Sequence, residues 1–201
     1  MPVLGITGGV ATGKSTFVRA LLPHLPPAEL FDSDACAHEL LDNEPGVRER
    51  VRRSFGDEVF TVEGVPDRAR LRAIVFSDDA RRRELEGILH PAIRAHWTAR
   101  AEAAIASGAW LCVDIPLLYE TGAESDFDRV IVVACSPAIQ RHRLCQERGL
   151  DAAMADRIIA AQLDLSTKIS KADHLIWNDT TIEHLDRQSA LLAGWLRQRH
   201  G

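Results

Sequence analysis

The stretch Gly8-Gly9-Val10-Ala11-Thr12-Gly13-Lys14-Ser15 decides the fold of this chain. It fits the pattern G-x-x-x-x-G-K-[ST], in which glycines let backbone N–H groups surround a phosphate and a following helix adds partial positive charge. The apolar residues 3–7 precede it, and Phe17, Leu21 and Leu22 share one helical face after it. This strand–loop–helix order predicts a nucleoside-triphosphate site rather than a simple glycine-rich turn.

Particular roles follow for the loop residues. Lys14 would reach the β- and γ-phosphates, and the Ser15 hydroxyl would hold Mg²⁺. The residues expected to bind the nucleotide are Gly9, Val10, Ala11, Thr12, Gly13, Lys14, Ser15 and Thr16.

The composition is that of an ordinary globular protein. A length of 201 residues with 46% apolar residues predicts one compact domain, with room for an inserted subdomain. The net charge of −5 argues against general nucleic-acid binding. No apolar run approaches the length of a membrane span, and no secretory leader is recognisable. Both observations favour a cytoplasmic protein without a membrane partner. The sequence leaves the oligomeric state open.

The cysteine pattern indicates neither a disulfide framework nor a zinc site, because no C-x-x-C pair occurs. The four cysteines are widely spaced: Cys36, Cys112, Cys135 and Cys145.

Apolar runs and helical patterns alternate along the chain. Residues 110–115 and 130–135 are continuous apolar runs, typical of strands buried on both faces of a parallel sheet. Shorter strands are expected at residues 28–31 and 174–177. Helical patterns occupy most of 35–108, 138–171 and 182–199. The chain therefore predicts an α/β fold, with a parallel sheet flanked by helices.

Acidic residues follow two of these strands. Asp32 and Asp34 come after residues 28–31, and Asp114 lies near the end of the 110–115 run. Because ligands bind beyond the carboxyl ends of such strands, one cleft can collect these acids and the glycine loop. If the backbone is extended, Asp32 and Asp34 point to the same side. One would accept a hydroxyl proton and the other would organise Mg²⁺. In the alternative, Asp34 only caps the next helix, and Asp114 only caps a turn.

Several nucleotide-binding classes fit less well than a kinase. The guanine-reading N-K-x-D motif is missing, and Ile115 rather than a second acid follows Asp114, which weakens an ATPase-motor interpretation. Arginines of the 138–171 segment suit a lid that excludes water from the reaction. The alternatives kept open are a nucleoside or nucleotide monophosphate kinase, and a nucleotide-dependent switch.

The chain resembles the dephospho-coenzyme A kinase family over nearly its whole length. The matching motifs are Gly5-Ile6-Thr7-Gly8-Gly9-Val10 with Gly13-Lys14-Ser15-Thr16, Asp32-Ser33-Asp34, Arg68-x-x-Leu71-Arg72, Val75-Phe76, Leu89-His90-Pro91-Ala92-Ile93-Arg94, Asp114-Ile115-Pro116-Leu117-Leu118-Tyr119-Glu120, Gln140-x-x-Arg143-Leu144, Arg157-Ile158, Gln162, and Ala172-Asp173-x-x-Ile176-x-Asn178.

The resemblance implies transfer of the γ-phosphoryl group of ATP, with Mg²⁺, to the 3′-hydroxyl of the dephospho-coenzyme A ribose. It also implies a P-loop kinase fold of three parts. These are a nucleotide core (about 1–34, 109–137 and 171–201), a helical substrate-binding subdomain (about 35–108) and a lid (about 138–170).

The resemblance also implies residue roles. Asp34 would be the base at the 3′-hydroxyl, and Asp32 would support the metal indirectly and the ribose. Arg143 would be the lid arginine on the phosphates, with Asn178 near the adenine of ATP.

Four further residues would bind the dephospho-coenzyme A: Arg68, His90, Leu117 and Glu120. For two of them a purely structural role stays open. His90 precedes Pro91 beside an apolar stripe and can be a hydrogen-bonded structural residue. Glu120 can brace a helix of the substrate-binding subdomain rather than touch the ligand.

Two positions depart from the family pattern. The family usually carries a second lid arginine four residues after the first, but here that position is Glu147, with Arg148 one step on. One residue turns a helical side chain by about 100°, so either the lid backbone adjusts and Arg148 substitutes, or Arg141 or Lys168 supplies the charge. Ala11 stands where glycine is more usual, and we expect no loss because alanine is small.

Overall fold

The fold is built on a five-stranded sheet, which the computed structural model describes within residues 2–200. The strands are β1 (Val3–Gly8), β2 (Ala28–Asp32), β3 (Trp110–Asp114), β4 (Arg129–Ala134) and β5 (His174–Trp177). Their order in the sheet is β2-β3-β1-β4-β5. The pairs β1–β3, β1–β4 and β4–β5 are parallel. The predicted α/β fold with a parallel sheet is confirmed.

The central strands are buried because they carry apolar side chains on both faces. Every residue of β1 and β3 is buried, as is β4 after Arg129. The register sets Ile6 beside Asp114 and Gly8 beside Val133, so the loop that follows β1 starts beside the ends of both neighbouring strands.

Nine α-helices are assigned within the described residues, and a π-helical turn at Arg143–Glu147 follows one of them. In chain order they are α1 (Lys14–Leu21), α2 (Ser33–Asn43), α3 (Pro45–Phe55), α4 (Arg68–Ser77), α5 (Asp79–Ser107), α6 (Pro137–His142), α7 (Ala152–Ala160), α8 (Leu165–Lys171) and α9 (Ile182–His200). The predicted helical segments are confirmed, although the 138–171 segment is broken into several short pieces.

The chain divides into two compact units. The first comprises the residues up to Phe31 and those from Ala101 onward. Its core lies between the sheet and the first and last helices, where Phe17 and Leu21 of α1 join Leu185 and Leu196 of α9. The predicted amphipathic tail helix is therefore part of this core.

The second unit is the helical segment Asp32–Arg100. Pro45 occupies the first turn of α3, where a missing N–H costs nothing, and the Glu44 side chain accepts from the Gly46 N–H. Pro45 and Gly46 therefore start a helix. Val51 and Phe55 of α3 are buried, and the Arg81 guanidinium lies 4.7 Å from the centre of the Phe55 ring.

Within residues 2–200, none of the helices combines the length and the apolar character that crossing a membrane would need.

Candidate active site

The glycine loop connects β1 to α1 through two residues with left-handed backbone. Gly13 caps α1 with φ of 92°, and Ala11 has φ of 56°. Within residues 2–200, Ala11 is the one non-glycine residue with positive φ. This conformation costs an alanine about 1–2 kcal/mol. The small size of Ala11 thus does not remove its backbone strain, and the expectation that Ala11 causes no loss stays a prediction.

Two glutamines hold the peptide groups of Val10. The Val10 N–H donates to Gln162 Oε1 at 2.8 Å, and Gln140 Nε2 donates to the Val10 carbonyl, also at 2.8 Å. Gln140 belongs to α6 and is buried. The loop conformation thus depends on side chains from the segment predicted to be the lid.

Arg143 and Asn178 bind the next carbonyls of the loop. Arg143 Nη1 donates to the carbonyls of Ala11 at 3.3 Å and Thr12 at 3.2 Å, and its Nη2 donates to the Asn178 carbonyl at 2.9 Å. Asn178 Nδ2 donates to the Thr12 carbonyl at 2.9 Å. The structure therefore brings both predicted residues to the loop, through its backbone.

The remaining loop carbonyls are also bonded. The Thr12 hydroxyl donates to the Gly9 carbonyl at 2.9 Å, and Lys168 Nζ lies 3.4 Å from the Gly8 carbonyl. Each carbonyl from Gly8 to Thr12 therefore accepts a hydrogen bond from the protein. A carbonyl oxygen repels phosphate oxygens. These hydrogen bonds direct the loop carbonyl oxygens toward protein donors and so away from an anion.

Lys14 lies beside the acid at the end of β3. Its Nζ is 3.4 Å from Asp114 Oδ1, and the two side chains are only 15% and 12% exposed. The sheet register explains the contact, because β3 neighbours the strand that leads into the loop. Asp114 therefore contacts the loop through Lys14, while a cleft that also collects Asp32 and Asp34 stays a prediction.

A cavity of about 320 Å³ opens at the loop. Its lining comes from the loop, the π-helical turn and the residues after β5: Gly9, Ala11, Thr12, Gly13, Lys14, Ser15, Thr16, Arg143, Glu147, Arg148, Asn178, Thr180, Ile182 and Leu185. A larger depression along residues 138–152 contains none of the loop residues, so the smaller cavity is the candidate nucleotide site.

The π-helical turn places Arg148 in this cavity. In this turn the Arg148 N–H donates to the Arg143 carbonyl at 3.2 Å, an i→i+5 bond instead of i→i+4. The residue five positions after Arg143, which is Arg148, therefore lies one turn beyond it, where an α-helix would place the residue four positions after it. Arg148 and Arg143 both line the cavity. Glu147 lines it too, so the substitution of Arg148 for the expected lid arginine stays a prediction.

Burial keeps the thiol of Cys135 neutral. Cys135 directly follows β4, and burial raises the pKa of its thiol to about 11, although the charge of Arg143 acts in the opposite direction. Cys135 is therefore a packing residue and no nucleophile.

Leu117 and Glu120 lie in the turn after β3. Glu120 Oε1 is 2.8 Å from Lys168 Nζ and accepts from the Leu163 N–H at 2.9 Å. The Leu117 carbonyl accepts from Thr121, and the Leu117 side chain is half-buried. Glu120 thus braces the 138–171 segment and not a helix of the second unit.

The acidic pair in the second unit is not extended. α2 begins at Ser33, so Asp34 lies in its first turn and is exposed. Asp32 is the capping residue, and its Oδ1 accepts from the N–H groups of Asp34 and Ala35 at 2.9 and 3.0 Å. The extended geometry assumed for the pair is wrong, and so is the alternative in which Asp34 is the cap. One carboxylate already satisfies two helix-end donors, so the backbone turns helical directly after it.

Arg68 and His90 lie on different helices of the second unit. Arg68 opens α4, and its Nη2 is 2.9 Å from Asp42 Oδ2 of α2. His90 is half-buried in α5, directly before Pro91. Burial lowers the pKa of His90 below its ordinary value, although Glu86 acts in the opposite direction. The imidazole is therefore neutral at pH 7.

The roles of Gln140, Gln162 and Lys168 are not evident from the sequence. The two glutamines stand out there only as parts of motifs, and Lys168 only as a spare charge. The one available signal is the presence of long polar side chains in the 138–171 segment: Gln140 and Lys168 on the short helices α6 and α8, and Gln162 in the bend after α7.

Comparisons with known proteins point to one family. A model of the family described as dephospho-CoA kinase matches residues 2–184. A dephospho-CoA kinase of Anaeromyxobacter dehalogenans is 40% identical over 202 residues, which covers 100% of this chain and 95% of the relative. One from Leifsonia xyli is 40% identical over 197 residues, covering 96% of this chain and 98% of the relative.

Solved structures agree with this. A crystal structure of a Thermus thermophilus protein has a TM-score of 0.78 and 28% identity, and the match covers 100% of this chain and 98% of the other. A dephospho-CoA kinase from Campylobacter jejuni has a TM-score of 0.69 and 26% identity, covering 98% and 97%.

Proposed function

The chain belongs to the dephospho-CoA kinase family, and on that premise we propose how its residues carry out the reaction. It transfers the γ-phosphoryl group of ATP to the 3′-hydroxyl of the dephospho-CoA ribose, giving CoA and ADP in the last step of coenzyme A biosynthesis. The predicted family and activity are confirmed. The individual residue roles below are proposals.

The bonding of the loop carbonyls is the observation that carries the nucleotide site. Because the carbonyls from Gly8 to Thr12 all accept hydrogen bonds from the protein, the loop is preorganised for an anion. We propose that residues 9–16 bind the ATP phosphates through backbone N–H groups other than those of Val10 and Thr12, which donate to Gln162 Oε1 and to the Gly9 carbonyl. Lys14 would neutralise charge on the β- and γ-phosphates, with Asp114 holding its ammonium in place.

The hydroxyl of Ser15 fits a magnesium ligand. Ser15 lies exposed in the first turn of α1, and Mg²⁺ prefers oxygen ligands while keeping several waters. Within residues 2–200, no group of three or more His, Cys, Asp or Glu side chains is arranged to hold a metal. Mg²⁺ would therefore bind through this hydroxyl, waters and the ATP phosphates, with Asp32 acting indirectly. When bound, it would neutralise phosphate charge.

Asp34 is the residue we propose as the base. Its position in the first turn of α2 leaves capping to Asp32, whose Oδ1 is engaged by two backbone N–H groups. Asp34 would orient the 3′-hydroxyl and accept its proton as the bond to phosphorus forms. Asp32 would support the ribose and the waters of the metal.

The lid cations would complete the charge balance. Arg143 and Arg148 line the cavity that contains the loop. We propose that Arg148 contacts the nucleotide and that Arg143, through the loop carbonyls, sets the position of the phosphates. Asn178 and the residues after it would lie near the adenine.

The remaining assignments concern dephospho-CoA and the domain scheme. We propose that residues of about 35–108 form the substrate-binding subdomain and that residues of about 138–170 are the lid. Arg68, His90, Leu117 and Glu120 would bind the acceptor substrate. The substrates of the protein are small molecules. We propose that the protein acts in the cytoplasm without nucleic-acid or membrane partners.

A substrate comparison tests the function. The purified protein with Mg·ATP should form ADP and CoA from dephospho-CoA, with the new phosphate at the ribose 3′ position by mass spectrometry and ³¹P NMR. Phosphorylation of AMP, CMP or a nucleoside in place of dephospho-CoA would contradict the assignment.

A matched pair of variants tests the base. Asp34→Asn should lower kcat by about 10²–10⁴-fold with ATP affinity kept, because loss of a general base typically has this effect. Glu39→Gln, at an exposed acid of the same helix, serves as the comparison. Unchanged turnover in Asp34→Asn would remove Asp34 as the base.

A further inference from the structure

Lys168 is a lysine whose side chain is completely withdrawn from solvent. It lies on α8, and its side chain is 0% exposed. Its ammonium contacts Glu120 Oε1 at 2.8 Å, the Pro116 carbonyl at 2.9 Å and the Gly8 carbonyl at 3.4 Å. A lysine has three N–H donors, so all of them are used. Fully buried lysines are rare unless paired, which makes this position one to explain.

The three partners come from separate parts of the chain that meet at the nucleotide site. Gly8 ends β1 and is the first residue of the phosphate loop. Pro116 follows the acid that contacts Lys14, and its carbonyl also accepts from the buried Thr7 hydroxyl at 3.2 Å. One ammonium thus joins the start of the loop to the turn that carries Asp114.

The groups around Lys168 act on its pKa in opposite directions. Burial lowers the pKa of Lys168, and the neighbouring charge of Lys14 lowers it further, while Glu120 raises it. Lys14 and Lys168 therefore repel each other in the free protein. An arriving phosphate attracts both, so the binding of an anion relieves this repulsion.

We propose that Lys168 is a positioning residue for the nucleotide phosphates, which holds Gly8 and Pro116 so that the loop and the Lys14–Asp114 pair stand in their binding geometry. This inference rests on the nucleotide site proposed above. Lys168 touches neither substrate in this arrangement and acts through the backbone it holds.

The competing explanation is that Lys168 only stabilises the fold. Removing one partner of a buried ion pair leaves the other charge unpaired, so Lys168→Met is expected to lower stability in either case. The double variant Lys168→Met/Glu120→Gln removes both charges and keeps an acceptor for the Leu163 N–H. It should recover much of the lost stability, which separates the two roles.

The test combines a binding and a kinetic measurement on the full chain. The dissociation constant of Mg²⁺ with adenylyl imidodiphosphate, an ATP analogue, is measured by calorimetry, and kcat is measured with dephospho-CoA. We expect both Lys168→Met and the double variant to bind the analogue about 10–100-fold more weakly. The kcat should fall about 100-fold, as for a misplacement of about 1 Å.

Lys171→Met is the matched control. Lys171 lies on the same helix, is half exposed and pairs with Glu124 at 3.4 Å, so its loss should change neither the affinity nor kcat.

If the double variant recovers its unfolding midpoint together with wild-type affinity and kcat, the proposal is overturned, because Lys168 then acts only on stability. If Lys168→Met does not fold, the affinity of the double variant for the ATP analogue decides, because Glu120 is also proposed to bind the acceptor substrate. Wild-type protein that binds the analogue but phosphorylates no dephospho-CoA would contradict the proposed function, whereas the affinity comparison would still decide the role of Lys168.

Discussion

Replacing Gly13 with alanine tests whether the loop conformation depends on the contact with Asn178. Gly13 has φ of +92°, and a Cβ atom built there lies 2.2 Å from Asn178 Nδ2. Atoms do not approach so closely, so the Asn178 side chain must move. Its bond to the Thr12 carbonyl, 2.9 Å long, is then lost. The substitution therefore changes the backbone and one hydrogen bond together.

The size of the effect follows from these two terms. The left-handed backbone costs an alanine about 1–2 kcal/mol. Loss of the Asn178–Thr12 bond adds about 0.5–1.5 kcal/mol. We therefore expect Gly13→Ala to lower the free energy of unfolding by about 1.5–3.5 kcal/mol. A loop displaced by about 1 Å should also lower kcat/KM for ATP by about 100-fold.

A second glycine provides the control for the backbone term. Gly108 has φ of +73°, and a Cβ atom added there meets no heavy atom of the described chain within 4 Å. Gly108→Ala should therefore show only the cost of about 1–2 kcal/mol for the backbone. Urea unfolding of both variants is measured alone and in an Asn178→Ala background, with ATP-dependent turnover recorded in parallel.

Two results would refute the reasoning. The first is an equal loss of stability in Gly13→Ala and Gly108→Ala. The second is an excess loss in Gly13→Ala that persists after Asn178→Ala has removed the obstructing group, since the contact could then not be its cause.

Three further predictions concern the loop, the lid and the second unit. Ala11→Gly should raise the free energy of unfolding by about 0.5–1 kcal/mol in urea titrations, because release of the strained backbone exceeds the entropic cost of glycine; a loss of stability would contradict the strain argument. Arg148→Ala should weaken ATP binding by about 10–100-fold, which corresponds to the loss of one charged hydrogen bond. Arg141→Ala removes an exposed ion pair with Asp156 and should leave the ATP affinity unchanged. Equal ATP affinities of the two variants would remove Arg148 from the site. Burial lowers the pKa of His90 in the folded protein. The unfolded chain therefore binds more protons below about pH 6.5, and the free energy of unfolding must fall on acidification. Between about pH 7.5 and 5.5 the His90→Gln variant should lose less stability than wild type, and equal losses would contradict this.

The sheet and the loop were predictable because their signals are local. Residues 110–115 and 130–135 are apolar without alternation, which suits a strand covered on both faces, and the G-x-x-x-x-G-K-S spacing specifies a phosphate loop by itself. The contact between Lys14 and Asp114 followed from the rule that neighbouring parallel strands end at one edge.

The remaining features depend on contacts between distant residues. In Asp32-Ser33-Asp34, either aspartate can cap a helix, and the sequence does not say which N–H groups will be presented first. The π-helical turn before Arg148 is set by packing and has no sequence signal of its own. Gln140 and Gln162 meet Val10 across more than half the chain, so their roles appear only once the fold has brought them together.

The position of β1 in the sheet has a consequence for biosynthesis. This strand is translated long before its partners, which are β3 and β4: Leu4 pairs with Cys112 and Arg129. At about 5–20 residues per second, translation needs on the order of ten seconds to supply them. Until then the largely apolar β1 segment has no sheet to join.

The same delay applies to the nucleotide site, since the loop follows β1 directly. Its geometry further requires Lys168 and Asn178, which are translated later still. The bonded loop geometry therefore forms only after Asn178 has left the ribosome, and the β1 segment stays unpaired until its neighbouring strands have been made.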